Sequence, residues 1–164
     1  MPIDAMPDLP YQHIPVMVAQ AKGTGHPMKE KFDRVIGICH LAMNPPVPAT
    51  TAVNSLSPVL EVKDYLVKFE HRRITTTRII SRVLQQPKHG TLEDGGGGDY
   101  VYVPTEAGYI GKDEGAVLVE MSDLRIKVTY FFRILDSLPT DSDEEKYCRT
   151  YKWRISQGSS SNVA

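Results

Sequence analysis

The sequence predicts an all-β fold, an antiparallel β-sandwich with little or no helix. Three observations lead there. Residues 124–135 alternate with a strict period of two: Leu124, Ile126, Val128, Tyr130, Phe132 and Ile134 share one face, and Arg125, Lys127, Thr129, Phe131, Arg133 and Leu135 the other. Several further strand-like runs recur at regular spacing between Gly- and Pro-rich turns. No segment shows a convincing long amphipathic helix.

In chain order, residues 1–30 read as a flexible N-terminal arm, because Pro2, Pro7, Pro10, Pro15 and Pro27 punctuate a segment with little periodicity. Within it, Gly23-Thr24-Gly25 before Lys29 lacks the preceding strand and the closing Gly-Lys-Ser/Thr of a phosphate loop. Phe32 to Leu41 alternates with apolar groups on both sides, as a strand covered on two faces would. Pro45, Pro46 and Pro48 cannot join a ladder, so residues 43–58 are expected to be a loop. Val59 to Phe69 reads as a strand with a parity change near Lys63-Asp64, such as a β-bulge produces; a short helix is the competing reading.

His71 to Leu84 is read as a long, partly covered strand, stopped by Gln85-Gln86-Pro87 and turned at Lys88-His89-Gly90. Thr91-Leu92-Glu93 and Asp99 to Val103 are strands joined by Asp94 and four glycines, 95–98. Gly108-Tyr109-Ile110-Gly111-Lys112-Asp113 is a corner. Val117, Val119 and Met121 form a strand, and Ser122-Asp123 is short enough for a tight hairpin turn. Asp141 to Glu145 reads as an acidic loop, Tyr147 to Ile155 as a last strand, and the Ser-rich end as a disordered tail. The domain division that follows is an arm at 1–30, a sandwich at 31–156 and a tail at 157–164.

Composition narrows the function classes. Of 164 residues, 41% are hydrophobic and 24% charged, which suits a globular domain. The formal net charge of -1 gives no electrostatic argument for a nucleic-acid partner. No apolar run approaches the roughly 18 residues of a membrane helix, so no membrane insertion is expected. The first residues do not read as a signal peptide, since Asp4 and Asp8 stand where Lys or Arg would. Two cysteines, Cys39 and Cys148, are too few for a disulfide scaffold and lack metal-type spacing. Both fall in strand-like segments and could be paired or free; a bond would staple the N-terminal strand to the C-terminal one.

Gln86-Pro87-Lys88-His89-Gly90-Thr91-Leu92, then Tyr100-Val101-Tyr102-Val103-Pro104, then Gly108-Tyr109-Ile110-Gly111-Lys112-Asp113, is similar in order and spacing to the bacterial cadherin-like, immunoglobulin-type repeats. The likeness covers about residues 72–136. It departs at Glu114-Gly115-Ala116, where the family has an aromatic, and at the two-residue hairpin turn. The flanking strands do not match. The resemblance implies an immunoglobulin-like sandwich from a bacterial secreted or surface protein, acting in macromolecular binding, adhesion or envelope structure. It implies an extracellular, cell-surface or periplasmic location.

Read for themselves, the corner residues have structural work. Gly108 and Gly111 let the chain close, and Asp113 can accept backbone N–H groups across a tight turn. Tyr109 can insert its ring between the sheets and satisfy its hydroxyl at the edge. His13, His26, His40, His71 and His89 form no metal-type pair, and His89 is expected to bond local backbone. Asp94, Asp99, Asp113, Glu114, Asp123 and Asp136 lie near turns. Calcium would need six to eight converging oxygens and no acidic series supplies them, so no cofactor is expected. No Gly-x-Ser-x-Gly elbow is present, and Cys39 and His40 point to opposite strand faces; no catalytic activity is expected.

The expected function is a non-catalytic, monomeric module with a protein or glycan partner. Its candidate binding face is Arg78, Arg82, Arg125, Lys127, Arg133 and Phe131. An alternative is carbohydrate or polyanion binding on that basic face, with Phe131, Tyr151 or Trp153 as exposed aromatics; a hydrolase on a sandwich scaffold is a third.

Overall fold

A computed structural model describes residues 31–44, 52–76, 78–121, 123–148 and 153–157. The expected arm at 1–30, much of the 43–58 loop, Tyr151 and the tail beyond Gln157 lie outside the described residues. The elements are β1 (Arg34–Met43), a 3-10 turn (Ala52–Asn54), β2 (Ser55–Leu56), α1 (Pro58–Glu70), β3 (Ile79–Gln85), β4 (Gly90–Gly96), β5 (Asp99–Pro104), β6 (Gly111–Met121), β7 (Leu124–Leu135), α2 (Asp141–Cys148) and β8 (Trp153–Gln157). The molecule is mostly strand, and the strands form two packed sheets, as expected for an all-β fold.

The large sheet runs β3-β6-β7-β1-β8 and the small one β2-β5-β4. The alternating run 124–135 is the central strand β7, and all six residues of its Leu124-to-Ile134 face are buried. The Met121↔Leu124 pairing closes the tight β6–β7 hairpin. One expectation needs correction: the large sheet is not wholly antiparallel. β1 lies parallel to β7, with Ile36↔Val128 and Ile38↔Tyr130 in register, while β8 pairs antiparallel with β1. β1 is thus an inserted interior strand, and this explains its apolar residues on both sides.

Ile36 and Ile38 of β1, Val117 and Val119 of β6, and the inner face of β7 pack under the small sheet and α1. The opposite face carries two smaller clusters, Cys39, Leu41, Phe131 and Cys148, and Phe32, Val35 and Leu118.

The segment 59–69 is helical, so the competing reading of that segment is the correct one. Pro58 opens α1, suiting the first helical position because its missing N–H has no partner there, and Glu61 places an acidic group in the first turn. Val62, Tyr65 and Leu66 are buried at helical spacing; each such burial contributes about 1.5–3 kcal/mol. His71 ends the helix in the left-handed region (φ 52°), and the Arg72 N–H returns to the Leu66 carbonyl at 3.0 Å. Because residues 71–76 are not strand, β3 is shorter than the expected 71–84 run.

The acidic stretch 141–145 is also helical rather than loop. Thr140 and Asp143 cap α2 reciprocally, the Asp143 N–H donating to Thr140 Oγ1 and the Thr140 N–H to Asp143 Oδ2. Cys148 therefore sits at a helix end and not in a strand, and it is buried.

Candidate functional site

The Gly-Tyr-x-Gly-x-Asp corner closes the β5–β6 connection against the β3–β4 turn. Asp113, buried at the start of β6, is its centre. Its Oδ1 accepts the N–H groups of Lys88 and Glu114, each at 2.9 Å. Its Oδ2 accepts the His89 N–H at 2.9 Å and the Tyr102 hydroxyl at 2.7 Å. Asp113 thus accepts backbone N–H groups as the sequence leads one to expect, and two of them come from the distant Lys88-His89 turn. Burial first, then the hydrogen bond to Asp113, holds the Tyr102 phenol far above its ordinary range.

Glycines allow this closure. Gly108 (φ 81°) and Gly111 (φ 143°) occupy conformations that L side chains rarely adopt. At Gly90 an added Cβ would lie 2.5 Å from the Tyr102 ring.

The tyrosine inserted between the sheets is Tyr102, 1% exposed, and not Tyr109. Tyr109 is half-buried. Its hydroxyl donates to the Lys112 carbonyl at 2.5 Å, and its ring stacks on His89 with centroids 3.6 Å apart and planes 7° apart. His89 does not bond local backbone through its ring: Nδ1 lies 2.5 Å from Glu106 Oε1. Asn44 Nδ2 donates to the Glu106 and Tyr109 carbonyls, each at 3.0 Å, tying β1 to the same knot. His40 has a comparable structural place, its Nε2 2.9 Å from the Val53 carbonyl and its ring edge-to-face with Tyr130 and Phe132.

A second polar clamp holds α1 to β1. Glu70 accepts from Arg34 Nε at 2.7 Å and Nη2 at 3.1 Å, and from the Tyr65 hydroxyl. The Arg34 hydrogen bond keeps the Glu70 carboxyl below the usual carboxylate range, against opposing burial. Burial and the bond to Glu70 push the Tyr65 phenol up to about 12.

The six residues of the expected binding face are not brought together as one set, although Arg78 and Arg125 border one groove. Phe131 is 4% exposed, buried beside Cys39, Leu41 and Cys148, so it is not an exposed aromatic. Lys127 is 5% exposed, with Nζ 5.9 Å from the Phe32 ring centroid. Arg133 stacks over Tyr147 at 4.2 Å. Arg125 Nε is paired with Glu120 Oε2 at 2.7 Å. Arg78 and Arg82 are exposed, on and beside the edge strand β3. Central strands of the sheet are covered on both faces, so alternation there selects which buried cluster a side chain joins rather than core or solvent.

At the β3 edge the structure offers a surface feature that sequence reasoning missed. A groove of about 570 Å³ runs between Arg78 and Ile80 on one side and Glu120, Asp123 and Arg125 on the other. Its only sequence signal is the run Arg78-Ile79-Ile80, an apolar residue on the outward parity of a strand flanked by arginine. Among the described residues, no group of three or more His, Cys, Asp or Glu side chains is placed to hold a metal ion. Nor is any helix among them long and apolar enough to cross a membrane.

The two cysteines form a disulfide, Cys39–Cys148, with Cα atoms 5.7 Å apart, which fastens α2 to β1. No family model and no curated protein matches the chain.

Proposed function

We propose that this chain is a non-catalytic, monomeric β-sandwich module of the immunoglobulin-like kind, working in macromolecular binding in an extracellular or periplasmic setting. The observation that carries the reading is the β3 edge, which pairs with no further strand among the described residues and where an exposed Ile80 and Arg78 border a groove. A large apolar side chain displayed beside open strand groups suits capture of another chain. The Cys39–Cys148 bond supports the location, because disulfides persist where the medium is oxidising.

The polar groups of the corner support a binding role over chemistry. Asp113 accepts four donors on its two oxygens, so its acceptor sites are already taken within the fold. The polyanion alternative draws less support, since Lys127 and Phe131 are buried.

The test is selection of ligands for the purified, oxidised chain from a displayed peptide library and an oligosaccharide array, with NMR mapping of each hit. Saturable peptide binding that shifts surface amides is the expected result. Failure to bind either class, together with turnover of chromogenic ester or glycoside substrates, would overturn it.

A further inference from the structure

β3 ends the large sheet, so alternate residues of Ile79–Gln85 turn their backbone N–H and C=O groups away from β6. Among the described residues no strand lies beyond it. Natural edge strands are commonly protected by proline, charged side chains, or a bulge that twists the edge away, and of these β3 carries a charge at Arg82 in its middle. β3 has its irregularity only at the far end, between Val83 and Gln85, and its first residues are regular. There Ile80 is 55% exposed, on the face it shares with Arg78.

The charges of the adjoining groove decide what would fit. Its two carboxylates already have arginine partners: Glu120 Oε2 lies 2.7 Å from Arg125 Nε, and Asp123 Oδ1 lies 3.1 Å from Arg72 Nη2. Arg78, by contrast, makes no ion pair among the described residues. The rim of the groove on β3 therefore presents an uncompensated guanidinium and an apolar side chain two residues on, and the outer edge of the same strand presents a row of backbone groups unpaired among the described residues.

We infer that β3 accepts an added strand from a partner protein: an extended, acidic segment with a carboxylate opposite Arg78 and an apolar side chain over Ile80. The period-two spacing of Arg78 and Ile80 matches the side-chain repeat of a strand, so one face of the incoming segment meets both. Backbone hydrogen bonds supply the general affinity, and the carboxylate–guanidinium fork supplies selectivity. This inference rests on the binding-module reading and names the partner's chemistry.

The test uses the full chain with oxidised cysteines and ¹H–¹⁵N NMR. The probe is a blocked peptide of about eight residues alternating Glu and Val, long enough to span an ordinary strand, with a Lys/Val peptide as the charge control. The expected result is movement of the 79–85 amides with the Glu/Val peptide and not with the Lys/Val peptide. R78E and I80K should each weaken the response at least tenfold while leaving the remaining spectrum in place.

Still β3 amides at millimolar Glu/Val peptide, equal responses to the two peptides, or an unaffected R78E titration would overturn the inference. If library-selected peptides then shift amides elsewhere, the binding-module reading survives and only the β3 assignment falls. Sedimentation at the same concentrations separates another occupant: a dimer abolished by R78E would make a second copy of this chain the added strand and overturn the partner assignment.

Discussion

Replacing Asp113 with asparagine asks how much of the fold hangs on one carboxylate. The two side chains have nearly the same shape, but each Asp113 oxygen receives two donors. Whichever oxygen becomes an NH₂ group then faces two N–H or O–H groups instead of accepting from them. If Oδ2 is lost, the orphans are the His89 N–H and the Tyr102 hydroxyl; if Oδ1, the N–H groups of Lys88 and Glu114. A buried donor left without a partner costs about 1–3 kcal/mol, and the fully buried Tyr102 hydroxyl belongs at the upper end. The N–H groups of the turn are partly buried, so water recovers part of their loss.

We expect Asp113→Asn to lower stability by about 2–4 kcal/mol and Asp113→Ala by about 3–5 kcal/mol, a large share of the 5–15 kcal/mol typical of a domain. Urea unfolding followed by tryptophan fluorescence and far-UV circular dichroism measures this as a shift in midpoint at constant slope. Tyr102→Phe separates the contributions. It removes one donor and leaves Asp113 with three, so it should cost about 1–2 kcal/mol. Asp113→Ala should then cost less in the Tyr102→Phe background than alone, because the buried hydroxyl is no longer there to orphan. An asparagine variant within about 0.5 kcal/mol of the parent, the spread of ordinary surface substitutions, would refute the account of the corner.

Three further outcomes are expected. Glu70 has a folded pKa below its ordinary 4.5, so its clamp on Arg34 is fully formed above that pH and is lost as pH falls through the lower folded value. Glu70→Gln should accordingly reduce stability near neutrality and flatten the acid limb of a stability–pH curve; an unchanged acid limb would argue against the clamp. Gly90→Ala places a Cβ 2.5 Å from a Tyr102 ring that Asp113 holds by its hydroxyl, and should destabilise by about 1–3 kcal/mol by calorimetry, whereas Gly95→Ala, with 3.5 Å of clearance, should be milder. Reducing the Cys39–Cys148 bond, which spans 109 residues, should lower stability by up to about 5 kcal/mol on the chain-entropy account, read from unfolding with and without reductant. Cys39→Ser with Cys148→Ser should reproduce that loss and make the protein indifferent to reductant.

Much of this protein was legible in its residue order. The period of two in residues 124–135 specified a strand, and the Gly/Asp corner announced a tight closure stabilised by a carboxylate. Those signals are local: they depend on side-chain alternation and on backbone conformations that only neighbouring residues set. The two helices had local signals as well, Pro58 followed by the acidic Glu61 and Thr140 with Asp143, but in short segments a period-two and a period-3.6 pattern place apolar residues at similar positions.

Only the tertiary structure decided what each face meets. Phe131 and Lys127 sit on the alternate face of β7, which looks solvent-bound in sequence. That face is covered because β1 inserts parallel to β7 and brings Cys39 and Leu41 beside Phe131, with α2 fastened over them by the disulfide. The choice of Tyr102 over Tyr109 as the buried tyrosine has the same origin. Both lie within hydrogen-bonding reach of the corner, but Tyr102 is on a strand of the small sheet and faces β7, while Tyr109 lies in the connection and meets His89. Strand order, pairing direction and the far partner of Asp113 come from contacts between residues distant in the chain, and no local pattern encodes them.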